Sequence, residues 1–194
     1  LAPYQEIRIV GDVLFLAVIS GALHLDGLAD TADGFFSHRP REKILEIMKD
    51  ARIGVMGVLA VVFCILLKLA GVTGIIHSQS LFWLIIAPAL GRTAQVIGLV
   101  LVQHIPSEKT LAENFYQQGK YILLVLCPLP FAILFYINWV LGLVTLLIFV
   151  LLITGLLLYF KKIIGGITGD TLGAASEIIE TVFLLIGGIS VSIY

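Results

Sequence analysis

The chain alternates long apolar blocks with short polar connections. The blocks run over about Ile9–Leu23, Ile53–Ile76, Leu81–Val102, Tyr121–Ile137, Trp139–Phe160 and Leu172–Tyr194. Most are long enough to cross a hydrocarbon core of about 30 Å as a helix. A helix satisfies its backbone hydrogen bonds within one segment, which lipid demands. Barrel strands would alternate apolar and polar residues, and these blocks do not. The pattern predicts an all-α, polytopic transmembrane helical bundle of about six membrane segments, forming one integral membrane domain over residues 1–194. The first block is the weakest, being short and interrupted by Asp12. No basic region followed by a small-residue cleavage site precedes it, so a signal peptide is not expected.

Charge refines this picture. Charged residues make up 13% of the chain, against 59% hydrophobic, about half the usual soluble share. The net charge of −1 gives no reason to expect a nucleic-acid partner. Cys64 and Cys127 lie inside apolar blocks and read as small buried hydrophobes. Nine of the twelve basic residues fall on alternate connections: Arg39, Arg41, Lys43, Lys49 and Arg52, then Lys109 and Lys120, then Lys161 and Lys162. Those connections are therefore expected to face the cytoplasm, with Arg8 as an exception. Lys68 lies near enough to a block end to snorkel and is assigned no role. Pro40–Asp50 reads as a short helix with Pro40 at its first position. Its apolar face (Ile44, Leu45, Ile47, Met48) suits either the membrane surface or packing on the bundle. Glu108, Lys109, Glu113 and Asn114 read as a solvated loop.

Against this apolar background stands His24-Leu-Asp26-Gly27-Leu-Ala-Asp30-Thr-Ala-Asp33-Gly34. Spacings of four and three put Asp26, Asp30 and Asp33 on one helical face. One such acid would read as a helix cap or a solvated charge. Three repel one another unless a cation lies between them, and Mg²⁺ shared with substrate phosphates is the natural candidate. Gly27 and Gly34 permit close backbone approach. His24 is a candidate base, or a hydrogen-bonded structural histidine. Downstream, Asp50 offers a fourth acid ligand and Arg52 a phosphate clamp. A helix start with a positive-inside arginine explains that pair more simply.

A second cluster runs Gly165-Gly166-Ile-Thr168-Gly169-Asp170-Thr-Leu-Gly173-Ala174-Ala-Ser-Glu177. Asp170 and Glu177 share a helical face, seven residues apart. Glycines before a helix start leave N–H groups for phosphate. Glu177 and Glu180 fall in or near the membrane, where carboxylates are costly and usually functional. Arg92 lies inside the third block, after Pro88. It is expected to face the bundle interior, paired with an acid or a pyrophosphate. Acids, glycines and arginines converging on one membrane face fit metal-assisted displacement at a pyrophosphate or phosphodiester.

These residues resemble the cobalamin synthase family (adenosylcobinamide-GDP ribazoletransferase). The resemblance rests on the His24–Gly34 run, on Ile47-Met-Lys-Asp50-Ala-Arg52-Ile-Gly54, and on Gly165–Ala174 with Glu177. It extends from about residue 20 to the end. Members of the family begin earlier, so N-terminal sequence is expected to be missing here. The resemblance implies an Mg²⁺-dependent enzyme of the bacterial inner membrane. Its reaction joins α-ribazole, or its 5′-phosphate, to the GDP-activated corrinoid and releases GMP. On this reading the candidate catalytic residues are His24, Asp26, Asp30, Asp33 and Asp50. Arg52, Arg92, Gly166, Thr168 and Gly169 are candidate substrate contacts. Asp26, Asp30, Asp33, Asp170 and Glu177 are candidate Mg²⁺ ligands. The expected partners are the corrinoid, α-ribazole and the lipid bilayer. A CDP-alcohol phosphotransferase is the runner-up, but the Ala-Arg it needs after Asp26-Gly27 is missing. A divalent-cation transporter is a third reading, against which the acids gather at one face.

Overall fold

The computed structural model describes residues 3–105 and 125–189. Helix α1 (Pro3–Val18) leads into α2 (Leu23–Phe35), α3 (Arg41–Ile47), α4 (Val55–His77) and α5 (Trp83–Leu101). After the undescribed stretch come α6 (Leu129–Ile137), α7 (Trp139–Ile164) and α8 (Gly169–Ile189). Helices α4, α5, α7 and α8 are each long and apolar enough to cross a membrane, and a bent α1–α2 pair makes a fifth candidate. The protein is an all-helical integral membrane protein. The expected count of about six is approximate, because the described part of the Tyr121–Ile137 block holds only the short α6. Lys109, Lys120, Glu108, Glu113 and Asn114 lie outside the described residues.

Local chemistry sets the boundaries. The first apolar block is not one straight helix: α1 and α2 meet at 78°. The bend lies where Gly21 and Ala22 both adopt positive φ, near 60°, a conformation glycine takes without steric cost. Asn138 caps α7 by accepting from the N–H groups of Val140 and Leu141 at 2.9 and 3.1 Å. Gly165 ends α7 in the left-handed region at φ 81°, the usual helix-stop geometry. Helix α3 follows Pro40, which sits just before the helix and not at its first position. Ile44 and Met48 are buried beneath Gly34, so α3 packs on the bundle.

Helix α8 is the central pillar and packs most extensively against α5, α4 and α2. Between membrane helices, small residues allow backbones to approach and recover dispersion energy. A Cβ on Gly74 would lie 2.6 Å from the Gly188 Cα, and one on Gly71 would lie 2.7 Å from the Leu184 carbonyl carbon. Trp83 stacks on Phe183 with ring centroids 6.3 Å apart, and both are fully buried. The outward faces of α4 and α7 expose Phe63, Leu66, Leu147 and Leu151. So large an apolar surface belongs in lipid.

Gly74→Val is therefore expected to destabilise the bundle by about 1–3 kcal/mol, as overpacking does. Thermal unfolding in detergent measures this. Gly155→Ala is the control, since a Cβ there meets nothing within 4 Å; it should hold or raise the melting temperature.

Candidate active site

The site is built where α2 and α8 run antiparallel and touch. A Cβ on Gly27 would lie 2.7 Å from the Asp170 carbonyl oxygen. A Cβ on Gly173 would lie 3.2 Å from the His24 Cα. At Gly27 the backbones thus close to a distance no Cβ would permit, and at Gly173 to one tighter than an ordinary Cβ contact. The contact brings Asp26 and Asp30, one turn apart on α2, beside Asp170 in the first turn of α8. The charges of Asp26, Asp170 and Asp33 all act on Asp30, and that of Asp26 acts on Asp170. On the solvent side lies an open cleft of about 250 Å³. Asp26, Ala29, Asp30, Met48, Lys49, Asp50, Ala51 and Ile53 line it.

The other sequence candidates divide. Asp33 turns away from the cleft. Its two oxygens accept the Gly54 N–H at 2.6 Å and the Gly57 N–H at 2.8 Å. It caps the start of α4, satisfying donors that a helix N-terminus leaves open. Asp50 does line the cleft, but its carboxylate is held by the Arg52 fork at 3.0 and 2.7 Å. That pairing pulls Asp50 down to about 2, the side-chain hydrogen bonds from Arg52 being the chief cause. Arg52 points its donors at Asp50.

In the second cluster, the Gly166 Cα faces the Gln103 carbonyl oxygen. The Ile167 N–H donates to that same carbonyl at 3.1 Å, and the Ile105 N–H to the Ile167 carbonyl at 2.8 Å. Thr168 and Thr171 cap one another, with N–H to Oγ1 distances of 2.8 and 3.2 Å. Gly166 and Thr168 therefore build the α8 start, whereas Gly169 is exposed with open space around it. Glu177 lies two turns deeper than Asp170 and is 1% exposed. Its Oε2 sits 2.6 Å from the Lys68 Nζ. The structure assigns it to a buried ion pair and not to the surface carboxylates. Arg92 does face the interior and meets an acid, as expected. That acid is Glu180, at 3.7 Å, and Arg92 also donates to Ser176 Oγ. His24 is half-buried, its backbone against Gly173, with Arg92, Glu177 and Lys68 as the charges around it.

Among the described residues, no three His, Cys, Asp or Glu side chains close around one point tightly enough to hold an ion alone. Asp26, Asp30 and Asp170 nonetheless offer hard oxygen donors in mutual repulsion. That donor set fits Mg²⁺, which takes one or two carboxylates and completes its shell with water and substrate phosphates.

Comparison with known proteins identifies the lineage. The family described as cobalamin-5-phosphate synthase matches residues 1–188. The chain belongs to this family. A relative from Clostridium botulinum (strain Okra / Type B1), named adenosylcobinamide-GDP ribazoletransferase, is 39% identical over 90% of this chain and 71% of its own length. Relatives of the same name from Alkaliphilus metalliredigens and Desulforamulus reducens are each 40% identical, over 88% and 94% of this chain and 68% and 75% of their own. No solved structure matches. Membership places the chain among the transferases of cobalamin synthesis, and so decides against the CDP-alcohol and transporter readings.

One residue of this cobalamin-synthase-family chain escaped sequence reading. Lys68 does not snorkel: it is 2% exposed and lies 2.6 Å from both Glu177 and Glu180. The available signal was a lysine near mid-block in one helix and two mid-block glutamates in another, a combination the interior of a bilayer tolerates only when paired.

Asp33→Ala should cost about 0.5–2 kcal/mol of stability through loss of the α4 cap. Asp170→Asn should leave stability equal or higher, because it relieves like-charge repulsion. Denaturation of the two variants side by side separates the capping acid from the cleft acid.

Proposed function

We propose that the chain transfers α-ribazole, or α-ribazole 5′-phosphate, to adenosylcobinamide-GDP with release of GMP in an Mg²⁺-dependent reaction. The observation that carries this is the Gly27–Asp170 contact, which gathers Asp26, Asp30 and Asp170 beside an open cleft. The relatives' shared name supplies the substrates. The ribose hydroxyl oxygen forms a bond to the phosphorus attached to the corrinoid. The bond from that phosphorus to the bridging oxygen breaks, and GMP leaves with the electron pair. Mg²⁺, held by Asp26, Asp30 and Asp170, would neutralise charge developing on the pyrophosphate. The remaining work falls to the chain itself. Lys49 supplies a cation at the cleft wall. The open Gly169 lets a phosphate approach the start of α8, where helix N–H groups favour anions. A cleft carboxylate accepts the hydroxyl proton.

The cleft opens to the cytoplasm on this reading. Arg39, Arg41, Lys43, Lys49 and Arg52 lie on the connection that carries the cleft wall, and Lys161 and Lys162 lie in the last turn of α7. That bias is the positive-inside signature of a bacterial inner-membrane protein.

Purified protein supplied with both substrates and Mg²⁺ should release GMP, and EDTA should abolish the release. Asp30→Asn should lower turnover by roughly 100-fold or more, because removing a metal ligand forfeits several kcal/mol of charge stabilisation. Its melting temperature should hold. Release of GMP that persists in EDTA, or an Asp30→Asn protein of full activity, refutes the metal role.

A further inference from the structure

Two turns below Asp170, Lys68, Glu177 and Glu180 are buried together, with the 35% exposed Arg92 at their edge. The Lys68 Nζ lies 2.6 Å from Glu177 Oε2 and 2.6 Å from Glu180 Oε1. Glu180 Oε2 lies 3.7 Å from Arg92 Nη2, and Arg92 Nη1 donates to Ser176 Oγ. Two cations meet two carboxylates, so the set is neutral by count. Lys68 comes from α4, Arg92 from α5, and their partners all from α8. Lys68, Ser176, Glu177 and Glu180 are at most 2% exposed.

This set acts on the helix that carries the cleft acid. Asp170, Gly173, Glu177 and Glu180 follow spacings of three, four and three, so they form one stripe along α8. The upper two members touch α2: Asp170 beside Asp26 and Asp30, Gly173 against His24. The lower two are gripped by Lys68. Slipping α8 by one residue turns the stripe by about 100° and would leave buried charges unpaired, which is strongly disfavoured. On the faces toward α2 and α4 apolar interlock adds little to this constraint, whereas toward α5 the Trp83–Phe183 stack adds to it. The closest contacts of α8 with α2 and α4 run through Gly27, Gly71, Gly74, Gly173 and Gly188, and glycine has no side chain to key into a groove.

We propose that Lys68 is a positioning residue for the carboxylate cleft. By holding Glu177 and Glu180 it sets the rotation and height of α8, and so the placement of Asp170 beside Asp26 and Asp30. The inference rests on the reading of those three acids as the metal-binding set. A purely stabilising ion pair would lower the melting temperature and change nothing else in the folded protein.

The test uses the full chain in detergent or nanodiscs, well below its melting temperature, with Mn²⁺ as the probe read by electron paramagnetic resonance. Lys68→Met should weaken Mn²⁺ binding by about 10–100-fold, the range seen when the support of a ligand is removed. The kcat for GMP release should fall in parallel, while KM for α-ribazole stays within about twofold. Lys68→Arg, which can still bridge both glutamates, should restore binding and turnover. A folded Lys68→Met protein with wild-type Mn²⁺ affinity and kcat, lowered only in melting temperature, overturns the proposal. If Lys68→Met does not fold, Lys68→Met/Glu177→Gln is read in the same way. That double variant leaves Arg92 and Glu180 as the remaining ion pair, and unchanged Mn²⁺ affinity in it overturns the proposal equally. Wild-type protein that releases no GMP refutes the proposed reaction, while the Mn²⁺ comparison still judges Lys68. Wild-type protein that binds no Mn²⁺ overturns the positioning role as well.

Discussion

The contact between Gly27 and the Asp170 backbone is the constraint on which the rest depends. Any side chain at Gly27 would strike the Asp170 carbonyl and push α2 off α8. The carboxylates of the two helices would then separate by more than a metal ion or a pyrophosphate can bridge. Close approach of this kind is favourable in a bilayer because dispersion, and not expulsion of water, drives helix association there. The same device recurs lower on α8, where Gly71, Gly74 and Gly188 interleave. The pillar is thus held by backbone contact from end to end.

The distribution of charge follows from the two environments. At the cleft, acids are left in excess of cations: Asp26, Asp30 and Asp170 repel one another, an arrangement that favours a bound cation. In the interior, acids and cations are matched: Lys68 and Arg92 against Glu177 and Glu180. Each buried ion would carry a penalty of several kcal/mol without its partner. An unbalanced set is tolerable only where solvent or a ligand can reach it. The imbalance lies at the solvent-facing start of α8 and the balance within the bundle, although both lie on one stripe of one helix.

The arithmetic of spacing exposed much of this in the chain itself. The apolar blocks announced the helical membrane bundle, and the four-and-three spacing placed Asp26 and Asp30 on one face. The repeated seven-residue interval linked Asp170 to Glu177. Spacing along a helix says which residues share a stripe, but not what stands opposite. Asp33 shares the stripe of Asp26 and Asp30, yet at its height the neighbour is the start of α4, whose open N–H groups claim it. Glu177 shares the stripe of Asp170, yet at its depth the neighbour is Lys68. Arg52 had an acid two residues away and took it.

What the sequence determined by itself was therefore local and periodic: the fold class, the membrane setting, and the two acid-bearing helices. Those properties depend on hydrophobicity and on intervals of three and four, which one chain segment carries complete. The tertiary structure decided the sorting of the acids: Asp26 and Asp30 onto the cleft, Asp170 beside them at the start of α8, Asp33 to a helix cap, and Glu177 and Glu180 to buried ion pairs. It also decided the importance of Lys68. Those outcomes depend on which side chain of a distant segment meets each carboxylate, and at what depth. Only the packing of α2, α4 and α5 around α8 sets that.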